Sequence, residues 1–505
     1  MKRRALLQSA GWLALGYPLH QLGAFAPTPR FSADPFAVGV ASGDPTPDGV
    51  VLWTRLMPDA NREQGWQREA TQLEWQIASD EGMKQIVRRG RELARPEYGH
   101  SVHVSVTDLQ PNRWYWYRFK AGSETSRVGR TKTAPSGPAD RIRFAFASCQ
   151  SFHQGYYTAY QHLVREDVDA IVFLGDYIYE TGGSGVRPVP VEEPMDLAGY
   201  RARYGLYRSD PHLQEAHRLF PWIVTWDDHE VDDNYAGQIP QDQQPRPDFV
   251  RRIAAAYQAH YEWLPLPKAR LPKGAHSRLY RRLSYGPLAN FLVLDGRQYR
   301  SDQACGDGNT PPCPDVKDGR RTMLGAEQER WLQRELRQSR AQWNILANQV
   351  SMTVVDNAPG PDETYSMDGW SGYDAARRRL MTDLAETKVS NPVVITGDFH
   401  QNWVGDLRLD YRDKRSPVVG TELVGTSISS GGDGAESNPN VEKYLSENPQ
   451  IKFFNGQRGY VRCEITPRTL TADYRVVAKV SVPESSISTC ATFSVTNGKA
   501  GAERV

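Results

Sequence analysis

The sequence has little net charge, few cysteines and no long apolar run. The formal net charge of its 505 residues is +1, which gives no signal for binding nucleic acid or acidic membranes. No stretch is long and apolar enough to form a transmembrane helix. There is no internal repeat and no long low-complexity tract. A composition of 39% apolar and 24% charged residues is that of a globular protein, and the length suggests two domains. We expect a monomer.

The N-terminus has the features of an export signal. Residues 2–4 are Lys-Arg-Arg, an apolar stretch runs over 5–17, and Ala24-Phe25-Ala26 is a cleavage signal. The sequence therefore predicts a signal peptide over residues 1–26, with export to the periplasm or outside the cell. The segment Arg-Arg-Ala-Leu-Leu-Gln at 3–8 resembles a twin-arginine signal, although it lacks the usual Ser or Thr before the arginines and the usual Lys at position 8. An ordinary secretory signal is the alternative.

Five cysteines fit an exported protein with disulfides. Cys305 and Cys313 enclose a short polar loop that a disulfide would close, and Cys463 and Cys490 are candidates for a second bridge in the C-terminal strands. Cys149 remains without a partner. Because it follows a predicted strand beside other polar motifs, it is a candidate metal ligand; a buried structural thiol is the alternative.

The pattern of apolar residues changes once along the chain. Short alternating segments predict an all-β domain over 36–134, a sandwich that resembles fibronectin type III modules. From 141 to 480, strands alternate with amphipathic helices, which predicts a layered α/β domain. Residues 481–505 are expected to be a C-terminal tail. The predicted helices are 155–166, 196–204, 210–218, 247–263, 326–338 and 375–386.

Four motifs with acidic, histidine or cysteine side chains end apolar runs. They are Ala147–Gln150, Gly175–Glu180, Trp226–Glu230 and Gly397–His400. Three of the runs, at 142–147, 170–174 and 393–396, have strand character. Side chains at the carboxyl ends of strands in an open α/β sheet converge on one crevice. Thiolate, carboxylate, phenolate and imidazole groups in one crevice indicate a multi-metal site, with metal-assisted hydrolysis of phosphate esters as the expected chemistry.

Each motif contributes a type of ligand that favours particular metal ions. A carboxylate such as Asp176 can bridge two cations. A phenol such as Tyr179 is a poor ligand for divalent ions but a good one beside a trivalent ion, and together with Cys149 it points to iron. Asn348 and Gln349, after the predicted strand 343–347, are further candidates for lining the site. The remaining candidates are Asp228, His229, Asp398 and His400.

These motifs resemble those of PhoD-type alkaline phosphatases, within the calcineurin-like metallophosphoesterase group. The resemblance rests on residues 146–150, 155–157, 174–180, 226–230 and 397–403. It implies a layered metallophosphatase domain that holds Fe³⁺ and Ca²⁺ and hydrolyses phosphomonoesters, and often diesters, outside the cytoplasm. A plain pair of divalent metals is the alternative.

The resemblance also assigns roles to single residues. Cys149 stands where related enzymes carry an Asp-x-His first ligand, Asp176 is the bridging carboxylate, and Tyr179 is the phenolate on iron. Asp228 stands where many relatives have Asn, and His229 follows it at the position placed near the leaving group. Asp398 and His400 match the late metal-binding motif, which reads Gly-Asp-Phe-His here and Gly-His-x-His elsewhere in the group.

The expected reaction is attack of a metal-bound hydroxide on the phosphorus of a small phosphate ester, with His229 protonating the departing alkoxide. No serine lies in an obvious nucleophile motif for this site. Two alternatives stay open. One is a phosphodiesterase or phospholipase D-type hydrolase on the same fold. The other is a secreted binding protein without activity.

Overall fold

The computed structural model describes residues 31–57, 68–242, 244–358, 360–413 and 415–505. The predicted signal peptide lies outside these ranges. Within them, no helix has the length and apolar character needed to cross a membrane. The strands of the described residues are β1 (Val40–Thr46), β2 (Gly49–Arg55), β3 (Thr71–Ala78), β4 (Ile86–Ala94), β5 (Ser101–Val106), β6 (Trp114–Ala121), β7 (Glu124–Thr125), β8 (Gly129–Lys132), β9 (Ile142–Ala147), β10 (Ala170–Phe173), β11 (Pro221–Val224), β12 (Arg281–Tyr285), β13 (Ala289–Val293), β14 (Asn309–Thr310), β15 (Trp343–Asn348), β16 (Tyr365–Ser366), β17 (Pro392–Thr396), β18 (Asn402–Arg408), β19 (Val418–Val424), β20 (Ile451–Asn455), β21 (Gly459–Ile465), β22 (Thr469–Val477), β23 (Ile487–Thr496) and β24 (Ala502–Arg504).

The α-helices of the same residues fall where the amphipathic segments predicted them, with one addition, α7, in a stretch without a predicted helix. They are α1 (Thr158–Leu163), α2 (Leu197–Arg208), α3 (Pro211–Leu219), α4 (Arg246–Trp263), α5 (Gly325–Gln338), α6 (Asp374–Thr387) and α7 (Val441–Glu447). Local capping explains two of the starts. The Asp196 side chain accepts a hydrogen bond from the Gly199 backbone N–H, and Asp210 does the same for His212 and Leu213.

Two large sheets stack face to face. One has ten strands in the order β24-β23-β22-β21-β9-β10-β11-β1-β2-β5, and the other seven in the order β12-β13-β15-β17-β19-β18-β20. Alternate residues of the central strands face opposite sides, as the pleat requires. Thus Phe144 and Phe146 of β9 pack between the sheets with Phe291 and Ile345, while Ala145 faces the helices.

Helices cover both outer faces. The outer face of the ten-stranded sheet packs on α1 to α4, and that of the seven-stranded sheet packs on α5 and α6. The central strands β9, β10 and β11 are parallel to one another, and so are β13, β15, β17 and β19. The structure therefore confirms the predicted layered α/β architecture of sheets and helices.

The N-terminal region is all-β, as predicted. Strands β1, β2 and β5 enclose a core with the sheet formed by β4, β3, β6 and β7, to which β8 adds by pairing with β6. This region is continuous with the rest of the fold, because β1 pairs in parallel with β11. The predicted domain limits at 134 and 141 thus separate two segments of the sequence, whereas the ten-stranded sheet contains strands from both segments.

Two expectations for the C-terminal part are wrong. Residues 481–505 are not a tail: they supply β23 and β24, in which Ala491, Phe493 and Val495 are buried. Cys463 and Cys490 do not form a disulfide, and both are free thiols. They lie on β21 and β23 with β22 between them, so the two strands are roughly 9–10 Å apart, beyond the reach of a disulfide. The predicted Cys305–Cys313 disulfide is present, with Cα atoms 5.7 Å apart.

Candidate active site

Side chains from all four motifs meet at the carboxyl ends of the central strands. The chain turns sharply after β9, β10 and β17, where Cys149, Asp176 and Asp398 adopt positive φ angles of 59°, 56° and 62°. Three sets of potential ligand atoms lie within 4.8 Å of one another. They are Cys149 with Asp176 and His400, Asp176 with Asp228 and His229, and Asp227 with Asp228 and Asp398. The structure therefore brings the predicted ligand candidates together.

Tyr179 lies at the centre of a hydrogen-bonded group. Its phenol oxygen is 2.9 Å from Asp176 Oδ2, 3.1 Å from His400 Nε2 and 2.8 Å from Ser430 Oγ. Burial, followed by the charge of Asp176, raises the pKa of Tyr179 and of Cys149 well above their ordinary values. A buried phenol and thiol in this setting become anionic only beside a strong positive charge.

Several carboxylate oxygens of this cluster accept no hydrogen bond although they are buried. They are Asp176 Oδ1, Asp227 Oδ2 and Asp228 Oδ1. Buried oxygens without partners are costly, and cations would satisfy them. His400 is suited to binding a metal ion, because burial lowers its pKa to about 3 and leaves a neutral imidazole with a lone pair. The donor set thus fits more than one metal ion.

His229 is held by a carboxylate on one side of the cluster. Its Nδ1 is 2.8 Å from Glu180 Oε2, and its ring lies over Tyr179 with centroids 4.1 Å apart. Burial acts to lower the pKa of His229, but the charges of Glu180, Asp228 and Asp176 outweigh it and raise the pKa well above 6.5. These carboxylates favour the protonated form of the imidazole, which carries a proton on Nε2 for general-acid catalysis.

The cluster contains a buried arginine that the sequence analysis did not identify. Arg297 Nε donates to Asp227 Oδ1, and its Nη2 lies 3.6 Å from Asp228 Oδ1 and 3.5 Å from Asp398 Oδ1. Its Nη1 donates to Asp368 at 2.8 Å. A signal was present in the sequence, since Arg297 follows the buried strand β13 in the same way that the four motifs follow their strands. Arg297 holds the late and central acidic motifs in one arrangement.

Two further residues contribute to the site: Glu230, the last residue of the third motif, to which the sequence assigned no role, and Ser430, which lies outside the four motifs. The Glu230 carboxylate accepts hydrogen bonds from the backbone N–H groups of Asp176 (3.0 Å), Tyr177 (2.7 Å) and Asp227 (2.8 Å). It therefore ties the second motif to the third. Ser430 Oγ is 2.8 Å from both the Tyr179 phenol oxygen and the Cys149 carbonyl oxygen, so it joins the first two motifs to the loop after β19.

Asn348 and Gln349 were expected to line the site, and the structure gives their amides other partners. Asn348 Nδ2 donates to the Val350 carbonyl oxygen at 2.5 Å. Gln349 Nε2 donates to Thr225 Oγ1 at 2.9 Å, and its Oε1 accepts from the Gly296 backbone N–H at 3.0 Å. Both side chains are fully buried and hold strand ends together, and their role in lining the site stays a prediction.

The geometry agrees with comparisons to known proteins. The family described as PhoD-like phosphatase matches residues 144–474, and its N-terminal domain matches residues 23–135. Alkaline phosphatase D of Bacillus subtilis (strain 168) is 47% identical over 518 residues, which cover 100% of this chain and 89% of that protein. A solved structure of PhoD is 48% identical, covers 94% of this chain and 93% of its own, and superimposes with a TM-score of 0.91. The chain belongs to the PhoD-like phosphatase family.

Proposed function

We propose that this protein is an exported alkaline phosphatase that hydrolyses phosphomonoesters, and also diesters, at the cluster of Cys149, Asp176, Tyr179, Asp228, His229, Asp398 and His400. The observation that carries the proposal is the convergence of these side chains with buried carboxylate oxygens that accept no hydrogen bond. The similarity to an alkaline phosphatase over the whole chain supports it.

The chemistry of the donors supports Fe³⁺ and Ca²⁺ as the metals. Cys149, Asp176 and Tyr179 would hold Fe³⁺, because thiolate and phenolate ligands suit a trivalent iron. Asp228 and Asp398 would hold Ca²⁺ through carboxylate oxygens. The imidazole nitrogen of His400 would bind on the iron side, because it forms one ligand set with Cys149 and Asp176. When bound, the cations neutralise phosphate oxygens and lower the pKa of a coordinated water.

The protein's own groups then act on the ester. His229 donates its Nε2 proton to the departing alkoxide, and Glu180 keeps the imidazole protonated and oriented through Nδ1. Arg297 fixes the carboxylates of Asp227, Asp228 and Asp398 against their mutual repulsion. No covalent intermediate with the protein is required.

Metal analysis combined with kinetics tests this assignment. The purified, coloured protein should contain iron and calcium, and removal of calcium with a chelator should abolish hydrolysis of a phosphate monoester. Measuring a monoester and a diester side by side determines the preferred substrate class. A colourless, iron-free protein with full activity would contradict the iron–calcium assignment and favour a plain divalent pair.

Export through the twin-arginine pathway is a separate part of the proposal, carried by residues 1–26 of the sequence. Mass spectrometry of the exported chain should find Pro27 as the first residue. Replacing Arg3 and Arg4 together by Lys should retain the protein in the cytoplasm. Normal export of that variant would indicate an ordinary secretory signal instead.

A further inference from the structure

An apolar cavity of about 320 Å³ lies beside the loop that carries Asp398 and His400, since Phe399 between them lines it. Its walls include Phe399, Trp403, Leu445 and Phe454. The aromatic rings pack edge to face, with centroids 5.1 Å apart for Phe399 and Trp403 and 6.0 Å apart for Trp403 and Phe454. The volume lies at the lower end of the range for small-molecule sites, about 300–1,000 Å³.

Two connections join this cavity to the cluster. Phe399 lines the cavity, while its neighbours Asp398 and His400 belong to the ligand sets. The loop after β19 makes the second connection: Ser430 contacts Tyr179, and Asn438 and Asn440 of the same loop line the cavity. The cavity therefore shares two loops with the cluster of ligand candidates: the loop that carries Asp398 and His400, and the loop after β19.

The lining also restricts the chemistry of an occupant. Apart from the aromatic and aliphatic walls, the cavity has neutral amides such as Gln401 and Asn448, and none of the described residues that line it is charged. A second phosphate or a carboxylate would find no counter-charge there. Helix α7, which contributes Val441, Tyr444 and Leu445, has no buried residue, so an apolar occupant would remove part of its surface from water.

We propose that this cavity binds the apolar organic group of a phosphate ester whose phosphorus lies at the acidic cluster. The inference rests on the proposed function and narrows it to esters of apolar alcohols, in preference to small polar or polyanionic esters. Leu445 and its neighbours on α7 then determine specificity, and they make no contact with the reacting atoms.

Ethyl phosphate and octyl phosphate separate this contact from leaving-group chemistry, because both release a primary alkoxide. Each methylene that leaves water contributes about fourfold to binding. We expect kcat/KM for octyl phosphate to exceed that for ethyl phosphate by roughly tenfold or more, allowing for incomplete burial of the chain. Calorimetry with octylphosphonate and ethylphosphonate, which are not hydrolysed, should show the same order of affinity.

Leu445→Gln tests the wall directly. It should lower kcat/KM for octyl phosphate about threefold to tenfold and leave that for ethyl phosphate unchanged. The matched control is Leu93→Gln, the same change at a side chain that is 38% exposed on β4, and it should change neither value. Val441→Asn on the same helix is a second variant for the case that Leu445→Gln does not fold.

The outcomes distinguish the two proposals. Equal kcat/KM for ethyl and octyl phosphate, with equal affinity for the two phosphonates, would overturn the cavity inference and leave the phosphatase proposal standing. A metal-loaded protein that hydrolyses neither ester would contradict the proposed function, while tighter binding of octylphosphonate would still support the cavity. Loss of activity on both esters in Leu445→Gln, with normal folding, would assign the helix to the general site and overturn the specificity role.

Discussion

Glu180 Oε2 lies 2.8 Å from Nδ1 of His229, and this contact determines which nitrogen of the imidazole is available for chemistry. The other carboxylate oxygen, Oε1, accepts a hydrogen bond from the Asp233 backbone N–H at 3.1 Å. Glu180 is therefore fixed at both oxygens and buried, and it holds His229 with Nε2 free to act.

Glu180→Gln should lower kcat by about 10–100-fold, as loss of an orienting partner usually does. It removes a charge that raises the pKa of His229, so the alkaline limb of the kcat profile should move to lower pH. The control is Glu81→Gln, the same change at an exposed side chain of the N-terminal region, and it should leave kcat and the pH profile unchanged. An unchanged pH profile in Glu180→Gln would show that His229 is not the acid.

Tyr179→Phe removes the phenol oxygen that contacts Asp176, His400 and Ser430 but keeps the ring. If Tyr179 is a phenolate on Fe³⁺, the visible charge-transfer band should vanish, and activity should fall at least about 100-fold. Tyr98→Phe, on a half-buried tyrosine of the N-terminal region, is the control and should keep band and activity. A normal band in Tyr179→Phe would exclude the ligand role.

Thiol mapping tests the state of the five cysteines. In the unfolded, unreduced protein after metal removal, alkylation should modify Cys149, Cys463 and Cys490, while Cys305 and Cys313 should react only after reduction. The reason is that β22 keeps Cys463 and Cys490 on separate, non-adjacent strands. A disulfide-linked peptide pair that joins Cys463 to Cys490 would contradict the strand order. A disulfide-linked peptide pair that contains Cys149 would contradict the role of Cys149 as a metal ligand.

Two buried histidines away from the cluster make stability depend on pH. Burial lowers the pKa of His103 and of His260 to about 3. Their unfolded pKa is about 6.5, so the unfolded chain binds more protons than the folded one below that pH. This contribution to stability is complete above pH 6.5 and is lost as the pH falls towards 3. Relative to neutral pH, each histidine should reduce the free energy of unfolding by roughly 1.4 kcal/mol at pH 5.5.

Urea unfolding at pH 7.5 and 5.5 measures the effect. His103→Asn keeps a donor for the Leu266 carbonyl oxygen, which His103 Nδ1 contacts at 2.8 Å, and it should lose about half of the acid sensitivity that the pair confers. His276→Asn is the control, because that side chain is exposed and remains solvated in both states. If His103→Asn loses as much unfolding free energy between pH 7.5 and pH 5.5 as the unchanged protein does, then His103 becomes protonated in the folded state.

The sequence alone determined the features that depend on neighbours along the chain. The amphipathic segments correctly predicted α1 to α6, and the apolar runs predicted the central strands β9, β10, β15 and β17. The four motifs were recognisable because each polar group directly follows its strand, and parallel strands bring their carboxyl ends to one edge. The Cys305–Cys313 disulfide was also predictable, since only seven residues separate the two cysteines.

Only the tertiary structure decided which distant residues meet. Arg297 joins the acidic cluster and Ser430 reaches Tyr179 because the two sheets stack and the loop after β19 folds over the first one. The same packing places β22 between Cys463 and Cys490, adds β23 to the sheet, and encloses the apolar cavity between α7 and Phe399. Side-chain periodicity records which face of an element is buried, but it does not record which element covers that face.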